Sequence, residues 1–293
     1  MYEERTKSIS LSRKIKLGYR LWKPGKRRRC IVLIHGMASN LTRWSEFVEH
    51  TSLKKSWDII QVDLRGHNSS LYRGRLSFAQ WCMDLATIMD YEGYDKAVFA
   101  GHSLGAQLAV NIAALQPDRV SGLVLIDPVF YQALPDRKKT LYRYRFFIRL
   151  LVSIILILNK LGLHRRRIPS RDLRELDEHT REVLLGTGKQ DEMVAKYSSP
   201  WLDLKFFPAA NLIQEFILTI TPLPPPNQIK VPVLTVLAAE STFGDTRITK
   251  RMLDQFPSGT IANIDAFHWP LTEKPDQTRE AIERWFDQTF PND

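Results

Sequence analysis

Val98-Phe99-Ala100-Gly101-His102-Ser103-Leu104-Gly105 reads as an apolar strand that enters a G-x-S-x-G turn and opens a helix. The motif has chemical meaning only between a strand and a helix, and both are present here. Glycines on either side of the serine let the chain pass close to neighbouring strands. The turn presents the hydroxyl at a helix N-terminus, where backbone N–H groups and the helix dipole favour negative charge. Ser103 is therefore the candidate nucleophile.

Outward from that turn, strand-like runs cover Lys14–Trp22, Cys30–His35, Asp58–Leu64, Ala97–Gly101 and Val120–Ile126. They are rich in Val, Ile and Leu without polar alternation, as buried parallel strands are. Helix-like runs lie between them at Trp44–His50, Phe78–Tyr91 and Leu104–Leu115, the last closed by Pro117. This alternation predicts a parallel sheet covered on both faces. From Phe130 to about Lys230 the rhythm breaks into a basic, helix-rich stretch that ends in Pro222, Pro224, Pro225 and Pro226. Strand-like Val231–Ala239, helical Arg247–Phe256, strand-like Thr260–Asp265 and helical Gln277–Phe290 then restore it. The expected organisation is an α/β core over 1–128 and 231–293 with a helical cap inserted at 129–230.

A serine hydroxyl is a weak nucleophile without a base in reach. Of the seven histidines, His268 has the best context. It follows the strand ending at Asp265, in Ala266-Phe267-His268-Trp269-Pro270, and loops at strand carboxyl ends are where open α/β sheets build their sites. His35, His67 and His102 are assigned to structure: the first two as loop anchors, the third as a buried neighbour of the nucleophile.

Four pieces in this order resemble the α/β-hydrolase superfamily: His35-Gly36, Asp63-Leu64-Arg65-Gly66-His67, the serine turn, and the distant histidine loop. The resemblance covers nearly the whole chain outside the insertion. It implies a mostly parallel sheet flanked by helices, with the cap following the sixth strand. It also implies an oxyanion hole made by the N–H groups of Leu104 and Met37. The family usually places an acid just after the seventh strand, but Ser241 stands at that position. Three carboxylates remain open: Asp127 at the end of the sixth strand, Glu240, and Asp245. Asp245 also suits a cap for the helix near Arg247.

The serine excludes the aspartate-nucleophile chemistry of related dehalogenases and epoxide hydrolases. The leading expectation is a serine hydrolase that cleaves carboxylic esters with a hydrophobic acyl or aryl group through an acyl-enzyme. A thioester or carbon–carbon bond hydrolase is the alternative, as is a weakly catalytic ligand receptor, since the fold hosts many activities. The histidines are scattered, and neither a Cys/His cluster nor a phosphate-binding glycine loop is present. Neither metal nor cofactor is expected, because hydrolysis by a triad needs only water.

The chain of 293 residues is 44% hydrophobic and 25% charged, enough to bury a sizeable core. Cys30 and Cys82 are too few for a disulfide framework and are read as buried hydrophobes in a reducing compartment. The start, MYEERTKSIS, lacks a signal-peptide apolar region, and no run of 18 apolar residues appears, so cytoplasmic location is the default. The net charge of +10 is concentrated: ten Lys and Arg and no Asp or Glu lie between Arg137 and Arg167. With no nucleic-acid motif, nucleic-acid binding is not expected. Inside that stretch runs Phe146–Leu158, apolar but too short to span a bilayer. It is read first as a cap helix buried all round, or as a dimer contact. The second reading is a lid in peripheral contact with an anionic membrane.

Overall fold

The computed structural model describes residues 4–12, 15–185, 190–197, 199–240 and 243–291. Among the described residues eight strands form one sheet: β1 (Arg5–Ser12), β2 (Ile15–Trp22), β3 (Arg29–Ile34), β4 (Trp57–Val62), β5 (Ala97–His102), β6 (Val120–Ile126), β7 (Val233–Ala238) and β8 (Gly259–Ile264). Their spatial order is β1-β2-β4-β3-β5-β6-β7-β8. From β4 to β8 all neighbours are parallel. β2 departs from the parallel expectation, pairing antiparallel with both β1 and β4. The sequence reading does not include β1. Its residues, Arg-Thr-Lys-Ser-Ile-Ser-Leu-Ser, are mostly exposed at the sheet edge. A charged, bulged edge strand of this kind leaves no apolar run to find.

Helices cover the two faces. α1 (Ser45–His50) and the later C-terminal helix lie on one side, and α2 (Phe78–Glu92) and α3 (Leu104–Leu115) on the other. Strand alternation feeds both layers: Val98 and Ala100 pack with Trp44, Trp57 and Phe286, whereas Ala97 and Phe99 pack with Trp81, Leu108 and Ile112. This two-sided burial explains why the central strands read as continuous apolar runs. α2 starts at Ser77, whose side chain accepts the Gln80 N–H, and ends at left-handed Gly93.

Between β6 and β7 lie α4 (Asp136–Arg143), α5 (Arg145–Lys160), α6 (Leu173–Thr180), α7 (Gln190–Tyr197), α8 (Pro200–Asp203) and α9 (Ala209–Thr219). After β7 come α10 (Thr246–Leu253), α11 (Pro270–Glu273) and α12 (Pro275–Thr289). Several hydrogen bonds tie the inserted helices to the core, two groups of them from buried side chains of α9 and α6. Asn211 of α9 donates to Gly66 O and Tyr72 O at 3.0 and 2.8 Å. Buried Arg43 pairs with buried Asp177 of α6 and donates to Thr272 Oγ1 at 2.6 Å. α5 is not buried all round: only Val152 and Leu156 are fully enclosed. No helix among the described residues is long and apolar enough to cross a membrane.

Candidate active site

The register aligns the carboxyl ends of the central strands, with Ile34 beside Gly101, His102 beside Ile126, and Ile126 beside Val236. Side chains at these ends therefore converge. After His102 the chain turns sharply through Ser103, whose φ of 52° and ψ of −113° lie where non-glycine residues are strained. Its N–H donates to Ile126 O at 2.9 Å, which fixes the strained turn to the end of β6. Gly105 must be glycine, because a Cβ there would sit 2.5 Å from Ile34 O and 2.6 Å from His35 O.

Ser103 Oγ lies 3.0 Å from His268 Nε2. His268 Nδ1 is hydrogen-bonded to Asp127 Oδ2. All three residues are at least 94% buried. Asp127 has a left-handed φ of 41°, and its other carboxylate oxygen accepts the Ala238 N–H at 3.3 Å. With Nδ1–H donating to that carboxylate, Nε2 is the lone-pair nitrogen facing the serine hydroxyl. The histidine loop is held from both sides. His102 Nε2 donates to His268 O at 2.7 Å, and Glu273 accepts the N–H groups of Phe267 and Trp269 at 3.0 Å each. The Phe243 ring covers the imidazole, with centroids 4.2 Å apart.

Of the three carboxylates left open by the sequence, Asp127 is the one the structure brings to His268. Glu240 is exposed, and its backbone N–H donates to Ala266 O. Asp245 caps α10, its Oδ1 accepting from Arg247 N at 2.8 Å and Ile248 N at 3.1 Å. Those helix N–H bonds hold its carboxyl below the usual carboxylate range. Ser241, at the position where the family usually carries the acid, lies outside the described residues.

Leu104 opens α3, so its N–H has no partner within the helix. Gly36, just before Met37, packs on the nucleophile turn: a Cβ on it would lie 3.5 Å from Ser103 Cβ. The segment that carries Met37 thus lies beside the serine turn. The neighbouring histidines hold loops. His35 Nε2 accepts the Leu64 N–H at 3.1 Å, and burial together with the charge of His67 keeps His35 well below the ordinary histidine value. His102 is likewise held low by burial and by His268.

Glu215 of α9 is a residue the sequence reading missed. It is wholly buried, and its Oε2 accepts the Ala38 N–H at 3.1 Å, next to Met37. Its Oε1 lies 3.1 Å from His67 Nε2, while His67 Nδ1 donates to Ser39 O at 2.8 Å. Burial opposes charge on His67, but the Glu215 carboxylate, with the Ser39 carbonyl and Asp63, outweighs it and raises its pKa above the ordinary value. The buried pair thus anchors the loop of Met37 and left-handed Ala38, whose φ is 49°. A single glutamate within a helical insertion carries no local signal of that role. No group of three or more His, Cys, Asp or Glu able to hold a metal exists among the described residues.

Sheet order, serine turn and histidine loop define a hydrolase of the α/β class. The sequence pattern of the family described as alpha/beta hydrolase fold matches residues 29–275, and the chain belongs to that family. It is similar to an abhydrolase domain-containing protein of Schizosaccharomyces pombe, 26% identical over 258 residues, covering 86% of this chain and 90% of that one. It is also similar to the sn-1-specific diacylglycerol lipase of Mus musculus, 20% identical over 273 residues, covering 92% and 85%. Among solved structures, the enol-lactonase from Burkholderia xenovorans superposes with a TM-score of 0.64 at 18% identity, covering 94% of this chain and 98% of that one.

Proposed function

We propose that the protein is a serine hydrolase that cleaves carboxylic esters with a hydrophobic acyl or aryl group through an acyl-enzyme. The observation that carries this reading is the continuous relay from Ser103 Oγ through His268 to Asp127. Ser103 Oγ attacks the ester carbonyl as His268 Nε2 takes its proton. Asp127 holds the tautomer and stabilises the imidazolium. The N–H groups of Leu104 and Met37 receive the oxyanion of the tetrahedral intermediate, and losing one such donor costs about 100- to 1000-fold in rate. His268 then returns the proton to the departing alkoxide, so an alcohol leaves and the acyl group stays on Ser103. Water activated by the same histidine reverses the sequence and frees the acid.

The apolar substrate follows from what surrounds the imidazole. Phe243 belongs to a cluster with Val129, Phe216, Ile217 and Ile220, which continues the apolar wall from the core into α9. A non-polar acyl or aryl group loses its water favourably against such a wall. The name of the mouse lipase points the same way.

The test is hydrolysis of p-nitrophenyl esters from acetate to palmitate, with Ser103→Ala and His268→Ala as controls of unchanged circular dichroism. Turnover is expected to vanish in the first variant and nearly so in the second. Full activity in Ser103→Ala would sink the proposal.

A further inference from the structure

α5 buries a narrow stripe and exposes a broader one. Ile148, Val152, Ile155 and Leu156 face α9, packing with Ala210, Ile213 and Ile217. On the opposite side Phe147, Leu150, Leu151, Ile154, Leu158 and Leu161 recur at helical spacing, and each is between 39% and 70% exposed. An apolar stripe of this size facing water marks an interaction surface. Cations border it at both ends. Arg143, Arg149, Lys160, Arg166 and Arg167 are exposed, and none forms an ion pair among the described residues.

The charge selects the occupant. A second copy docked about a two-fold axis would set this basic surface against itself. A nucleic acid would match the cations but leave the apolar stripe unused. An anionic bilayer matches both. α5 has 16 residues and is about 24 Å long, short of the roughly 30 Å hydrocarbon core. We propose that α5 and its basic flanks dock on an anionic lipid bilayer, with the helix lying in the interfacial plane and its outer stripe among the acyl chains. α9, which carries Glu215, lies directly beneath α5. Docking therefore sets the bilayer one helix layer from the loop of Met37.

This surface stands apart from the ester reading, and its test reads vesicle binding. Full-length protein is sedimented with vesicles of phosphatidylcholine alone or mixed with phosphatidylglycerol, at low and high salt. Binding is expected on the mixed vesicles, and salt weakens it. Replacing Arg143, Arg149, Arg166 and Arg167 by Gln lowers partitioning about fivefold per cation removed. Leu151→Glu with Ile154→Glu abolishes binding while circular dichroism and the melting temperature stay unchanged. Failure to bind any vesicle would overturn the proposal. So would binding indifferent to the α5 substitutions. A dimer in light scattering that dissolves on Leu151→Glu, with no vesicle binding, would assign the stripe to a second copy instead.

Discussion

Replacing Asp127 by Asn changes one atom at a site where the partners are fixed. The Ala238 N–H, 3.3 Å from Oδ1, requires an acceptor, so the asparagine carbonyl oxygen takes that place. The amide nitrogen is then left facing His268 Nδ1. Two donors cannot face each other, so Nδ1 must become the lone-pair nitrogen and the ring proton moves to Nε2. Nε2–H now points at Ser103 Oγ, 3.0 Å away, and cannot accept its proton. A wrong tautomer of this kind costs about 10⁴-fold in turnover, or about 5.5 kcal/mol of barrier. Because the amide keeps the Ala238 bond, the melting temperature should fall little. The assay is kcat/KM on p-nitrophenyl butyrate for Asp127→Asn beside Glu240→Gln. Glu240 is exposed and forms no hydrogen bond to His268 among the described residues, so its variant should stay within a factor of about two, the scale of surface substitutions. A loss under tenfold in Asp127→Asn, or an equal loss in both, would refute the reasoning.

Three further outcomes test other parts of the structure. Gly105→Ala places a methyl against two backbone carbonyls and should cost at least about 2 kcal/mol in urea unfolding, whereas Gly25→Ala meets nothing within 4 Å and should be nearly neutral. Arg43→Ala strips Asp177 of its buried partner and should cost about 3–5 kcal/mol; a loss below about 1 kcal/mol would show the pair to be idle. Burial lowers the His67 pKa, but Glu215, the Ser39 carbonyl and Asp63 together raise it above the ordinary 6.5. The stability it contributes is full below 6.5 and disappears as pH rises through the raised value. In Glu215→Gln only the Ser39 carbonyl and Asp63 still oppose burial, so the raised value falls and the stability tied to it shrinks. The difference in melting temperature between wild type and variant, measured against pH, should therefore shrink toward alkaline pH. A difference that is flat across that range would contradict the charged pair.

The central strands were legible because they are buried on both faces, and burial writes itself as continuous Val, Ile and Leu. β1 was not, since at the edge its partners are backbone groups and its side chains face water. For the same reason the antiparallel pairing of β2 cannot be read from composition. α5 carried an apolar run that fits a buried helix as well as an exposed one. Only the packing on α9 fixes which stripe is covered.

By itself the sequence singled out the serine turn and the histidine loop. Their signals are local: the glycines that backbone contacts demand, the strained serine between strand and helix, and a loop following a strand. The tertiary structure decided which carboxylate meets His268 and what supports the Met37 loop. Asp127 and His268 stand 141 positions apart, and Ala38 and Glu215 are 177 apart. Which carboxylate meets the imidazole depends on β6, β7 and β8 lying side by side with their carboxyl ends aligned. Which glutamate grips the Met37 loop depends on how α9 settles over α3. Both follow from packing between distant segments, and a hydrogen bond across such a distance leaves no periodicity or spacing in the chain.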